Sequence, residues 1–321
     1  MPTDTVPRDL LVRQLDAWLP AALQRARRAT LALAYAGAGA EGADAALKAV
    51  GEHADRLRGF RLTVLVLAEG DEGLPARLGA AEAGLPAEVA VHVVPGGPER
   101  LPVALKAAGA AGAPLLTLAH GAAPDPALLA AARVGRPADL LLVAEPGTPL
   151  RPTLEAAGFP LVAEADLLDD PDAGLRPDSG RRSDAAQPTD SGRPTGAGRR
   201  LAFATGSDRG LQAFKDALWA AGEGAGVRYR DPADPEGAAL AASPTPDPEP
   251  LGRELLAELR RSGPRTVTEL RRYALTSTLY RSADATRALT ALLEAGAVTR
   301  EPGHGRLGGD VLISPAADPV A

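Results

Sequence analysis

The sequence predicts an α/β protein: a doubly wound domain built on a parallel sheet, followed by a small helical domain. Three observations carry this. Five short apolar runs between residues 30 and 144 alternate with helical segments of roughly ten to fifteen residues, the pattern of βαβ units. Apolar residues make up 45% of the 321, enough for an extensive core. Residues 251–321 then show three amphipathic helices followed by two short strand candidates around a Gly-rich turn.

Taken in order, residues 8–28 carry Leu10, Leu11, Leu15, Trp18, Leu19 and Leu23 at spacings of three and four, an amphipathic helix with Pro20 as a bend point. The alternation follows. Strands are expected at Thr30–Tyr35, Arg61–Ala68, Glu88–Val94, Pro114–Ala119 and Ala138–Ala144. Helices are expected at Ala43–Leu57, Leu74–Ala83, Leu101–Ala111 and Pro126–Val134. This domain spans 1–170. Asp169–Arg199 holds one large apolar residue, Leu175, among Ser, Gly, Pro and mixed charges. Such a stretch buries too little to offset its ordering entropy, so 171–199 reads as a disordered insertion.

Residues 200–230 complete the first domain. Arg200–Thr205 reads as a strand, Ser207 as the N-cap of a helix through Ala221, and Val227–Arg230 as a further strand. Residues 231–250 are an acidic, Pro-rich linker. Beyond it, Leu251–Arg261 reads as a helix, Thr266 caps a second over Val267–Leu275, and Ser282 caps a third over Ala283–Ala295. Three helices and a hairpin give the pattern of a winged helix, a helix-turn-helix variant.

Composition excludes several classes of function. Without Cys there are no disulfides, thiolate metal sites or Cys nucleophiles. No run approaches the ~20 apolar residues of a membrane span, and the opening residues lack a secretory pattern, so a cytoplasmic protein is expected. Lys occurs only at 48, 106 and 215 among 35 basic residues, a skew that suggests a GC-rich bacterial genome. His53, His92, His120 and His304 fall in separate elements with no metal-ligand spacing.

Gly37, Gly39 and Gly42 follow the first strand at G-x-G-x-x-G spacing, with Glu69 at the end of the next strand. In a Rossmann-like domain such a turn lets a cofactor approach the backbone and a helix N-terminus, and the acid meets a ribose hydroxyl. A tight turn rich in small residues has the same spacing without a ligand. An S-adenosylmethionine enzyme would need an acid in or after the first strand and polar groups at the end of the fourth. Here the first strand has none, and the fourth ends in Leu118-Ala119-His120-Gly121-Ala122.

The segment 201–221, LAFATGSDRGLQAFKDALWAA, resembles the three-Cys-motif partner proteins (TcmP-like). The resemblance rests on Phe203, Ala204, Thr205, Gly210, Lys215, Asp216, Ala217, Leu218 and Trp219. It implies a methyltransferase-like domain before this segment and a winged helix after it. The family's first-strand motif, acid-x-Phe-Ala-Gly-x-Gly, falls on Leu33 through Gly39, with Leu33 in place of the acid. Its fourth-strand Asp-Pro-Phe-Gly motif falls on Ala119 through Ala122. The resemblance thus implies a degenerate methyltransferase-like domain and a three-Cys-motif protein as partner.

DNA is a second candidate partner. Residues 251–321 hold ten Arg against eight acids, a net of +2 that leaves −8 on the rest of the chain. A winged helix presents its third helix to the major groove and its wing to the backbone. The candidate contacts are Arg281, Ser282, Thr286 and Arg287 on the helix, with Arg300, His304 and Arg306 on the wing. The expectation is a partner or nucleic-acid-associated module with no catalytic residues, no metal and no cofactor. The alternative is an S-adenosylmethionine-dependent methyltransferase acting on nucleic acid, using Gly37, Gly39, Gly42 and Glu69.

Overall fold

Helix α1 (Pro2–Arg25) opens the chain, as seen in a computed structural model that describes residues 2–37, 40–70, 72–147, 149–169, 198–234 and 237–316. It begins earlier than expected because Val6 extends the apolar face one turn before Leu10, and both are fully buried. Pro20 lies within the helix without ending it.

The alternating part follows: β1 (Arg28–Tyr35), α2 (Glu41–Glu52), α3 (Ala54–Leu57), β2 (Arg61–Ala68), α4 (Leu74–Glu82) and β3 (Val89–Pro95). Next come a 3₁₀ turn over Pro98–Arg100, α5 (Leu101–Ala107), β4 (Leu115–His120), α6 (Pro126–Ala132) and β5 (Ala138–Ala144). The single helix expected over 43–57 is broken at His53, which closes α2 and opens α3. Its ring lies 3.0 Å from Asp16 Oδ1 on α1.

Two elements went unread in the sequence, α7 (Arg151–Ala156) and β6 (Leu161–Asp169). After them come β7 (Arg199–Thr205), α8 (Asp208–Ala225), β8 (Val227–Arg230) and β9 (Leu240–Ala241). Asp169 and Arg199, taken as ends of the insertion, are strand residues; 170–197 lie outside the described residues. The stretch read as an acidic linker contains β9, and its last residues begin α9 (Pro248–Ser262).

The sheet order is β3-β2-β1-β4-β5-β7-β6-β8-β9. The first five strands are parallel; β7 runs antiparallel to both β5 and β6. The order in which strands are added reverses between β1 and β4, the switch point where ligands of such sheets bind. Helices cover both faces. Leu31, Leu33 and Tyr35 of β1 join a core shared with α1, α2, α4 and α8, whereas Ala32 and Ala34 join one shared with α5, α6 and α7. That split follows from the two-residue side-chain period of a strand.

Near the chain's far end lie β10 (Arg265–Thr266), α10 (Val267–Ser277), α11 (Ser282–Glu294), β11 (Val298–Glu301) and β12 (Leu312–Pro315). The three strands form a separate antiparallel sheet in the order β10-β12-β11. Thr266 caps α10 as expected, in a reciprocal pair with Glu269. Ser282 is not the cap of α11 but its first helical residue; Arg281 holds the cap position.

The reversed strand β7 is pinned by polar groups at both ends. Thr205 donates to the buried Asp139 carboxylate at 2.5 Å, and burial pushes that carboxyl's pKa up. Arg200 grips Asp166, its cross-strand neighbour, through two bonds of 2.6 and 2.9 Å, and donates to Gly147 O at 2.5 Å. Both side chains of the pair are largely buried. Removing one partner of such a pair strands the other charge. Arg200→Ala is therefore expected to lower unfolding free energy by about 3 kcal/mol in urea denaturation, with Arg253→Ala, at an exposed pair, near zero.

Candidate functional site

The candidate crevice lies at the carboxyl ends of β1, β2 and β4. Gly37 turns the chain after β1 with φ +84, a conformation L side chains rarely adopt, and a Cβ there would meet open space. Gly39 lies outside the described residues. Gly42, in the first turn of α2, serves packing: a Cβ there would come 2.9 Å from the Tyr35 hydroxyl. Tyr35 is buried, its hydroxyl has no partner among the described residues, and burial with Asp44 nearby pushes its pKa up.

Glu69 sits exposed just after β2, beside the Gly97 backbone, where Glu99 Oε1 accepts from Gly97 N at 3.0 Å. Two carboxylates therefore stand at this edge. Leu33, at the position where the resemblance calls for an acid, is fully buried in the core under α1 and α2. At the β4 end Ala119 and Ala122 are buried, and His120 pairs in register with Tyr35, the rings 5.9 Å apart. Burial, then Arg199, pushes the His120 pKa down, opposed by Asp4 and Glu145. Arg199 bonds to Glu145 at 2.5 Å and lies 3.6 Å from Asp4. Among the described residues no cluster of three or more His, Asp or Glu could hold a metal ion.

A second polar centre joins α8 to the segment between α10 and α11. Lys215 is 1% exposed. Its ammonium donates to three carbonyls: Ala274 O at 3.0 Å, Thr278 O at 2.6 Å and Tyr280 O at 2.8 Å. These carbonyls lie at or just past the C-terminus of α10, where the helix dipole favours a cation. Trp219, one turn on, donates from its indole to Leu279 O at 3.1 Å. Its ring stacks near Tyr280 and lies under the Arg281 guanidinium, 5.6 Å away. Burial pushes the Lys215 pKa down to about 7, with Arg151 adding to the fall and Glu254, Asp231 and Asp284 opposing it. Three acceptors nonetheless require three protons, which only the ammonium supplies.

The residues proposed for nucleic acid fall into two groups. Arg281 at the cap, and Ser282, Thr286 and Arg287 in the first half of α11, are each engaged within the chain. Arg281 bonds both oxygens of Asp284 at 3.0 Å and Pro244 O at 2.8 Å, and Arg287 also pairs with Asp284. Ser282 donates to Gln212 of α8 at 2.7 Å, and Thr286 accepts from Arg271 at 3.0 Å. On the hairpin, Arg300 binds the carbonyls of Pro302, His304 and Arg306, which fixes the turn, while the side chains of His304 and Arg306 are exposed.

The roles of Lys215 and Asp284 were not read from sequence. A signal existed for Lys215: it lies four residues after Leu211 and three before Leu218, on the apolar face of α8. Asp284 gave none, since an acid in a first helical turn is ordinarily a solvated dipole partner.

No protein-family model matches this sequence, and no curated protein is significantly similar to it.

The packing role of Gly42 is testable against Tyr35. Gly42→Ala is expected to destabilise by about 1–2 kcal/mol, because a buried phenol must shift. Tyr35→Phe, which deletes an unpartnered hydroxyl, should change stability by less than about 1 kcal/mol. In the double variant the Gly42→Ala cost should largely vanish, read from thermal denaturation as a coupling of about 1 kcal/mol.

Proposed function

We propose that this chain is a non-catalytic, methyltransferase-like partner protein. Its C-terminal unit is a winged helix fixed to the α/β domain as part of one scaffold. Supporting the first half are the doubly wound order of β3-β2-β1-β4-β5 and the reversed β7 beside β5, a sheet in keeping with the resemblance at 201–221. Supporting the second is the run α9, α10, α11 followed by the β11–β12 hairpin.

The observation that carries the proposal is the state of α11. At its start Arg281, Ser282, Thr286 and Arg287 bond to Asp284, Pro244, Gln212 and Arg271, and of the two arginines only Arg287 keeps an exposed side chain. A helix that reads bases needs such side chains free to reach base edges, and these hold the helix in place. The crevice speaks the same way. Leu33 fills the core where a cofactor-holding acid would stand, and Gly42 makes room for a phenol. What remains favours a protein partner, and the resemblance at 201–221 implies a three-Cys-motif protein.

A co-purification and two titrations of the full chain test this. A co-expressed three-Cys-motif protein should co-purify in fixed stoichiometry. S-adenosylmethionine should give no saturable thermal shift at millimolar concentration. Duplex DNA should bind weakly at about 50 mM salt and be released near physiological salt, with Arg281→Ala lowering melting temperature more than DNA affinity. Micromolar S-adenosylmethionine binding lost on Glu69→Ala, with methyl transfer to nucleic acid, would instead establish the enzyme. Tight duplex binding at physiological salt, weakened about tenfold by Arg287→Ala, would establish a nucleic-acid reader.

A further inference from the structure

A cavity of about 540 Å³ lies between α1, the start of β5 and the first turn of α8. It sits at the amino ends of the parallel strands, away from the crevice at their carboxyl ends. Gln14 of α1, 2% exposed, lines it and makes no hydrogen bond among the described residues. Its Oε1 is enclosed but its Nε2 is not, so one end of this amide meets the cavity. Asp139 of β5, 6% exposed, stands in the same wall. Its Oδ1 accepts from Thr205, and its Oδ2 is left without a partner and open. Polar groups taken out of water without partners are costly. Two of them facing one cavity point to a ligand that bonds both.

The mouth has a different character. Arg25 and Arg209 line it, both exposed, and neither makes an ion pair or a side-chain hydrogen bond among the described residues. Helix α8 begins here: Ser207 accepts from Gly210 N, while the N–H groups of Asp208 and Arg209 have no acceptor among the described residues. An adjoining cavity of about 460 Å³ shares Arg25 and Ser207 and adds Arg133 and Arg136. The other acids of the first wall are engaged, Asp16 with His53 and Asp216 with Gln212.

We propose that this cavity binds a nucleoside monophosphate, its base edge bonded to Gln14 and Asp139 and its phosphate held by Arg25, Arg209 and the start of α8. A base edge offers an N–H donor beside an acceptor, the complement of a carboxylate oxygen and an amide N–H. Arg25 acts on Asp139 to favour its ionised, accepting form. Trp18 and Pro137 give the ring apolar surface. Guanidinium groups and free amides at a helix N-terminus suit a phosphate. The volume falls within the range of small-molecule sites. This site is separate from the partner role proposed above and does not depend on it.

The test is calorimetry on the full chain with AMP, GMP, CMP and UMP, the four nucleosides and inorganic phosphate serving as controls. Saturable binding of at least one nucleotide is expected, at least about tenfold tighter than its nucleoside or inorganic phosphate. Arg209→Ala should weaken it several-fold. Gln14→Leu should weaken it at least about tenfold yet melt no lower than the parent, because it removes a buried amide that has no partner. Arg306→Ala, exposed on the hairpin, should leave affinity unchanged. No saturable binding of any nucleotide, a nucleoside or phosphate that binds as tightly, or full affinity in folded Gln14→Leu would each overturn the proposal. Should Gln14→Leu fail to fold, Arg209→Ala decides: unchanged affinity there overturns it as well.

Discussion

The relation between the two parts of this molecule depends on one buried ammonium group. Lys215 gives its three protons to three carbonyls of the segment that leaves α10 and enters α11. Ala274 O also accepts from the Thr278 hydroxyl at 2.7 Å, so the C-terminus of α10 is closed by its own cap residue and by Lys215 from α8. Burial and bonding pull this group in opposite directions. With a native pKa of about 7, below the ordinary lysine value, the unfolded chain holds more protons between those two values. The cost of burying the charge therefore sets in as pH drops through the ordinary lysine value and is full below about 7, and the three bonds to carbonyls, which need the charged form, offset it in part.

Much of the remaining seam follows from that anchor. With the loop fixed, Trp219 reaches Leu279 O, Arg281 lies over the Trp219 ring, and Ser282 meets Gln212. Asp284 then gathers Arg281 and Arg287. These bonds turn the first half of α11 toward its own chain, and the Tyr280 ring packs against Trp219. The orientation of the helical unit and the engagement of Arg281 and Arg287 belong to a single packing arrangement.

The sheet was legible because its strands are apolar runs bounded by turn residues, and both Arg61–Ala68 and Ala138–Ala144 coincide with the structure at both ends. Strand β6 was not, because Glu164 and Asp166 interrupt its apolar pattern; Glu164 bonds the Leu150 backbone N–H and Asp166 meets Arg200. Those partners lie far off in sequence, and no local rule reveals them. The glycine pattern was visible, but spacing does not separate a glycine that admits a ligand from one that admits a tyrosine hydroxyl. Likewise Arg281 and Arg287 looked like free cations, since the buried carboxylate that pairs them looks like any first-turn acid. The carbonyl cage is invisible in sequence for a simpler reason: its acceptors are backbone atoms.

Amide hydrogen exchange on the full chain carrying Lys215→Met tests the anchor most directly, since the side chain keeps its bulk and loses its donors. Exchange at Tyr280 and through the first half of α11 should quicken at least about tenfold, reflecting local opening. The amides of β1, β2 and β4 should keep their protection. Unchanged protection of α11, in a variant that folds, would contradict the claim that Lys215 fixes the helical unit on the α/β domain.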